Sequence, residues 1–325
     1  MELSIVEELW PIRGTFAIAR GVKNEARVIV ATIRDGEYEG RGECVPYARY
    51  DETIESVQEQ IASARSAIEG GIDRGALQEL LPAGAARNAL DCARWDLEAK
   101  QKGKTIWELV GIEPKPMPTA FTISLDTPKK MAEAATHASK EYSLLKIKLG
   151  GDGDTERLKK IREVAPKARL IVDVNEGWSS GNLERMVHAC ESADVELIEQ
   201  PVPTEHSNIL KNVGMSIKFC ADESAHTSDD LQKLRGRYSA VNIKLDKAGG
   251  LTEALIMAHK AKETGLTVMV GCMVSTSLSM APATVLAQYA DYVDLDGPLL
   301  LARDRKPGIE YRSETILPTT SNLWG

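Results

Sequence analysis

Cysteine is scarce in this 325-residue chain, and what there is forms no pattern. Cys44, Cys92, Cys190, Cys220 and Cys272 are scattered, odd in number and without a C-x-x-C pair, which tells against a zinc cluster and a disulfide framework. The five histidines are as dispersed, and no H-E-x-x-H occurs, so a histidine metal site has no support. Positive charge is short as well. A net charge of −8 argues against a nucleic-acid partner and an anionic membrane surface. No run of eighteen apolar residues is present, which leaves no membrane-spanning helix. The opening "MELSIVEELWPIRG" is too acidic and too broken for a signal peptide, so a cytoplasmic location is expected.

What is present is ordinary globular composition, 43% hydrophobic and 27% charged, in a length that suits one large or two unequal domains. The first part reads as a hairpin followed by helices. "ARVIVATIRDGEYEGRGECVPY" (26–47) holds two β-branched runs around Asp35-Gly36. "TIESVQEQIASARSAIEGG" (53–71) and "PAGAARNALDCARWDLEAKQKGK" (82–104) have helical spacing and end at glycines. Prolines in "GIEPKPMPT" (111–119) mark a boundary. Beyond it, eight short apolar strands alternate with amphipathic helices, which means a parallel sheet and suggests a closed (β/α)₈-type barrel. A doubly wound sheet ranks second, because "GGDGD" (150–154) does not match G-x-G-x-x-G. The expected organisation is an α+β domain over 1–115, a barrel over 116–298, and a tail, 299–325, that packs back on the first domain.

The strand ends carry the chemistry. In a barrel they face the active site. "LLKIKL" ends in Lys146 and Lys148, which share a face because they are two apart. The next three strands end in Asp173-Val174-Asn175, Glu199-Gln200 and Asp222-Glu223. Lys244 and Asp246 end the sixth, and Asp294 and Asp296 the eighth. Carboxylates gathered at one axis repel unless a cation sits among them, and hard oxygen donors without imidazole or thiolate favour Mg²⁺. Lys244 lies four strands from Lys148 in a ring of eight, so two amines face each other across the metal. A carbon acid bound there by its carboxylate has an acidified α-proton. One lysine can remove that proton and the other return it on the opposite face, which is racemisation or epimerisation. The base must be neutral, and Lys146 beside Lys148, with Mg²⁺ nearby, is expected to lower the lysine pKa.

Singly, each charge has a structural reading. A strand-end lysine snorkels to water, Asp173 or Asp222 caps a helix, Asn175 and Glu223 cap or support, and Cys272 fills the core. Their position at the same end of successive strands is what those readings leave unexplained.

With "KIK" (146–148), "DVNEGW" (173–178), "IEQP" (198–201), "ADES" (221–224), "NIKLDKAGG" (242–250) and "AARNALDCARWDLEAK" (85–100), the chain resembles the muconate-lactonising subgroup of the enolase superfamily. The resemblance implies an α+β capping domain and a (β/α)₇β modified TIM barrel. It implies Mg²⁺ on Asp173, Glu199 and Asp222, with Lys148 and Lys244 as acid/base lysines and Lys146 assisting. Asn175, Glu223 and Asp246 would stand behind them. "VDLDGP" (293–298) is similar to the D-x-D with which dipeptide epimerases hold the substrate ammonium, here Asp294 and Asp296. "IARGVKNEARV" (18–28) and "GECVPYARYDET" (42–53) resemble those of the L-Ala-D/L-Glu type. In those enzymes a basic capping-domain residue meets the side-chain carboxylate; Arg20 is the candidate and Lys23 the reserve. Thr122 and Cys272 resemble substrate-contacting positions. "GCMVSTS" (271–277) lacks a glutamate that many subgroup members carry. The expected activity is therefore epimerisation of L-Ala-D-Glu and L-Ala-L-Glu in murein-peptide metabolism, with a small-molecule dipeptide as partner and a homo-oligomer left open. The rivals are an N-acyl amino acid racemase, an o-succinylbenzoate synthase, a muconate cycloisomerase and a non-catalytic binder.

Overall fold

The computed structural model describes residues 1–213 and 217–325. Three antiparallel strands open the chain: β1 (Glu2–Ile18), β2 (Gly21–Asp35) and β3 (Tyr38–Cys44). The turn between β2 and β3 falls where Asp35-Gly36 signals it, and Asp35 pairs with Tyr38. The long β1 is absent from the sequence reading. Its alternation is interrupted by Pro11 and Gly14, and its register with β2 shifts between Pro11 and Phe16. A strand with an internal bulge at a sheet edge tolerates that proline.

The helix Ala85–Lys102 lies directly on β3. Gly40 and Gly42 make the approach possible: a Cβ on either would stand 2.2 Å from Ala93 O or 2.1 Å from Ala89 O. The same helix docks the N-terminal sheet onto the barrel. Arg87 donates to the carbonyls of Ala248 and Gly249, Asn88 donates to the Asp246 carboxylate, and Asp91 accepts from Thr252. The predicted helix over 53–71 is broken into Ile54–Ser63 and Arg65–Glu69.

After the short β4 (Met117–Pro118) come eight parallel strands: β5 (Phe121–Ile123), β6 (Leu144–Lys148), β7 (Arg169–Asp173), β8 (Val195–Glu199), β9 (Lys218–Ala221), β10 (Ala240–Ile243), β11 (Thr267–Gly271) and β12 (Tyr292–Asp294). They pair in sequence order, and the Ala120 amide donates to Val293 O at 2.8 Å across the seam between first and last. The crossovers after β8 and β9 carry 3₁₀ turns, Thr204–Asn212 and Ser228–Leu234, in place of the expected amphipathic helices. Those two repeats are among the shortest, and a tighter coil fits the smaller span. The tail forms β13 (Tyr311–Arg312) and β14 (Thr315–Ile316), which extend β4, and then returns to the helix Ala85–Lys102. There Trp324 donates its indole N–H to Cys92 O, and the Gly325 amide donates to Asp96.

Every barrel strand, or the residue just before it, gives one apolar side chain to a buried floor: Ala120, Leu144, Ile171, Leu197, Cys220, Ala240, Met269 and Tyr292. Two residues further along the same strands the inner face turns polar.

Candidate active site

Stepping two residues from each floor position gives Thr122, Lys146, Asp173, Glu199, Asp222, Asn242, Gly271 and Asp294. A strand points alternate side chains to one face, so these must share the barrel interior. All are buried. Another step adds Lys148, Asn175, Lys244 and Asp296 at the rim. Gly271 has a packing reason: a Cβ there would stand 2.7 Å from the Asn242 amide group.

The amines stand among the carboxylates. Lys146 Nζ lies 2.7 Å from Asp294, 2.7 Å from Glu199 and 3.1 Å from Asp173. Lys148 Nζ meets Asp173 at 2.5 Å, with Asn175 Oδ1 3.4 Å away. Lys244 Nζ meets Asp222 at 2.6 Å and lies 3.8 Å from Glu199. Lys148 and Lys244 thus reach the carboxylate group from β6 and from β10, as the ring of strands requires.

These charges set one another's protonation. Burial works against every ion here, yet Asp173 is held far below the usual carboxylate range by Lys148 and Lys146, and Asp222 by Lys244 and Lys247. Glu199 is pushed up to about 7 by burial and by the neighbouring Asp173 and Asp222. Burial also lowers the two amines in isolation. The carboxylates outweigh it and hold Lys146 (beside Asp294, Glu199 and Asp173) and Lys244 (beside Asp222 and Glu199) well above the ordinary lysine value. On Lys146 and Lys244 the chain's own carboxylates therefore act against the lowering that a base needs.

That imbalance bears on a metal. Among the described residues no three ligating groups converge as a ready-made metal cage, because the amines lie between them. The donor set nevertheless fits a hard cation. Asp173, Glu199 and Asp222 offer only oxygen, and the Glu199 Oε2 and Asp222 Oδ1 atoms, both buried, are met only by the ammoniums of Lys146 and Lys247 at 2.7 Å, so cations already fill the place a hard ion would take.

The remaining predicted residues gather around the same cavity, of about 1090 Å³. Asp296 accepts from the Thr122 amide at 2.6 Å and is pushed up to about 7 by burial and by Asp294. Cys272 lines the wall, and burial, with Asp294 and Asp296, raises its thiol well above the ordinary value, so it presents a neutral S–H. Arg20 donates to the Asn175 carbonyl and pairs with Glu223 at 2.6 Å and Glu176 at 3.2 Å. Lys23 lines the rim, 5.0 Å from the Tyr47 ring centre. Asp246 lies outside the cavity lining. It accepts from the Val45 amide and Asn88, beneath the capping sheet.

Four functional positions escaped the sequence reading. Asn242 donates to Glu199 at 2.7 Å and follows from strand parity, two residues before Lys244. Lys247 is 1% exposed; it pairs with Asp222 and donates to the carbonyls of Ala225 and Asn242. Phe16 brings its ring 5.7 Å from Lys148 Nζ. Glu176, at φ +68°, receives Arg49 through two 2.7 Å contacts. Only the tertiary fold brings the last three into place.

Matches to known proteins agree with this geometry. Residues 1–111 match the mandelate racemase/muconate lactonizing enzyme N-terminal domain, and residues 130–312 match the enolase C-terminal domain-like family. The chain belongs to the mandelate racemase/muconate lactonizing branch of the enolase superfamily. It is 43% identical to an L-Ala-D/L-Glu epimerase of Escherichia coli K12, over 95% of this chain and 97% of the relative. It is 46% identical to an N-acetyl-D-glutamate racemase of a Pseudoalteromonas species, over 92% and 95%. An Agrobacterium tumefaciens enolase family member, solved with sodium and L-Ala-L-Glu and described as homologous to dipeptide epimerases, superposes with a TM-score of 0.98 at 47% identity over 99% of both chains.

Proposed function

We propose that this protein is a Mg²⁺-dependent dipeptide epimerase that interconverts L-Ala-D-Glu and L-Ala-L-Glu in cytoplasmic murein-peptide metabolism. The observation that carries the reading is the pair of amines, Lys148 and Lys244, converging from opposite strands on one carboxylate cluster. Similarity to the E. coli epimerase and the Agrobacterium dipeptide complex supports the substrate class.

Asp173, Glu199 and Asp222 would hold the ion, which supplies positive charge to the substrate carboxylate and so acidifies its α-proton. Lys148 takes the proton from the (R)-configured α-carbon, and Lys244 gives one to the opposite face. The reverse direction exchanges their roles. Lys146, fixed between Asp294, Glu199 and Asp173, keeps a permanent ammonium beside the reacting carboxylate. Asp294 and Asp296 receive the dipeptide ammonium at the far wall, with Thr122 and Cys272 lining it. Arg20 and Lys23 make the cationic edge that meets the glutamyl side chain. Asn175, Glu223 and Asp246 hold the strand ends and the cap in position.

The test is proton exchange. Wild-type enzyme with Mg²⁺ in D₂O should replace the Glu α-proton of L-Ala-L-Glu, followed by NMR, and chelation should stop it. Absence of exchange with any dipeptide sinks the reading.

A second reading, racemisation of N-acylated glutamate, is favoured by the Pseudoalteromonas relative and by the state of the far wall, where Lys146 already neutralises Asp294. Asp296→Asn separates the two: it should slow dipeptide exchange about 10-fold or more and leave N-acetylglutamate little changed. Equal losses remove the ammonium role.

A further inference from the structure

Directly after Glu199 stands Gln200, fully buried and outside the cavity lining. Its backbone has φ +35°, a left-handed conformation that glutamine seldom adopts. The end of β7 turns the same way, at Asn175 (φ +48°) and Glu176 (φ +68°). Such a conformation persists where the surroundings over-determine it. At Gln200 they do, through both ends of the side-chain amide. Oε1 accepts from the Asp222 amide at 3.0 Å and from the Ser224 amide at 3.1 Å. Two backbone donors on one end identify it as the oxygen. Nε2 donates to Val202 O at 2.9 Å, to the Ser224 hydroxyl at 2.8 Å and to the Tyr238 hydroxyl at 3.0 Å.

The backbone of the same residue links the neighbouring strands. Its N–H donates to Cys220 O at 2.9 Å, and its carbonyl accepts from the Glu176 amide at 2.8 Å. Gln200 therefore engages the ends of β7, β8 and β9, at the level where Asp173, Glu199 and Asp222 project. On the cavity side those carboxylates have other partners: Asn242 meets Glu199, and Lys244 and Lys247 meet Asp222. These contacts turn the side chains. Gln200 sets the backbone from which they start, and without its Oε1 the buried Asp222 N–H loses its acceptor.

Building on the proposed reaction, we infer that Gln200 is a positioning residue of the cation site. It fixes the spacing of Glu199 and Asp222, and with it the affinity for the divalent ion, from outside the cavity. The test needs no turnover. Mg²⁺ binding to the full chain, without dipeptide, is measured by isothermal titration calorimetry for wild type, Gln200→Met, Gln200→Gly, Gln200→Glu and Tyr238→Phe. Gln200→Met keeps the length of the side chain and loses its polar end, and should weaken Mg²⁺ binding about 10–100-fold. Gln200→Gly removes the same hydrogen bonds while glycine accepts the left-handed backbone, so it should fold and weaken Mg²⁺ at least as much. Gln200→Glu keeps an acceptor for the Asp222 and Ser224 amides and should bind Mg²⁺ more tightly than either. Tyr238→Phe removes one Nε2 partner and leaves Oε1 engaged; it should lower the urea midpoint with Mg²⁺ affinity nearly unchanged. In D₂O, excess Mg²⁺ should return most of the exchange rate that Gln200→Gly loses at limiting Mg²⁺. Gln200→Met or Gln200→Gly with wild-type Mg²⁺ affinity, or with a loss no larger than that of Tyr238→Phe, overturns the assignment. So does a wild type that binds no Mg²⁺. A wild type that binds Mg²⁺ but exchanges no dipeptide removes the proposed reaction instead, and the Mg²⁺ affinities still decide on Gln200.

Discussion

The floor of the barrel and the layer above it are built by the same strands, two residues apart. Leu144 precedes Lys146, Ile171 precedes Asp173, Leu197 precedes Glu199 and Tyr292 precedes Asp294. Both layers are almost fully shut off from water. In the floor that burial is the source of stability, because apolar area leaves solvent without any compensating bond. In the upper layer it is a cost. Each ion loses hydration, and mutual pairing recovers it only in part. The barrel thus separates its two duties along the strand direction. Interior positions nearer the strand starts hold the sheet together, and the strand ends concentrate charge that would be unstable in a barrel without that floor.

The largest expected contrast is kinetic. Lys148→Met or Lys244→Met should cut epimerisation about 10²–10⁴-fold. Each single variant keeps one amine, so it should still exchange the α-proton of one hand of substrate without inverting it. Lys148→Met should exchange the (S) form and Lys244→Met the (R) form, read by NMR in D₂O with each pure epimer. Loss of exchange for both hands in both variants would break the assignment of opposite faces. The complementary change is Leu197→Ala in the floor. It opens a cavity in packed surroundings and should cost about 2–5 kcal/mol of unfolding free energy in urea. The exchange rate of the folded fraction should stay close to wild type, since the charges above keep their partners.

Strand parity explains how much was readable from sequence. The apolar-to-charged step in "LLKIK" and "RLIVD" is local, so the eight strands, the ends they present and the facing of Lys148 and Lys244 all follow from period two and the spacing of the repeats. The helix Ala85–Lys102 was equally visible, because its pattern is long and its glycine stop sits at the left-handed Gly103. β1 was not, because Pro11 and Gly14 cut its alternation and the pairing that rescues it is with β2. Lys247 looks like any helical surface lysine; only the packing of the turn after β10 against β9 turns it into a buried partner of Asp222. The Arg49–Glu176 pair was invisible for the same reason, since its members are 127 residues apart.

The smallest expected effect comes from a buried carboxylate without a cation. Asp173 and Asp222 lie beside lysines and stay ionised far into acid. Asp246 is as deeply buried but meets only the Val45 amide and the Asn88 side chain, and burial pushes it up to about 7. Its folded pKa is thus above the ordinary aspartate value that the unfolded chain restores. The folded state binds this proton more tightly, so the contribution to stability is complete below about pH 4 and is lost as pH rises through about 7. Asp246→Asn keeps a carbonyl oxygen for both donors and removes the charge that must otherwise be buried. At pH 8 it should stabilise the fold by about 1–3 kcal/mol, and near pH 4 the difference should vanish. Urea unfolding of both proteins between pH 4 and pH 8 measures it. A difference that does not grow with pH would mean that a cation or ordered water offsets the Asp246 charge, and the contrast between paired and unpaired buried carboxylates would then fail at this position.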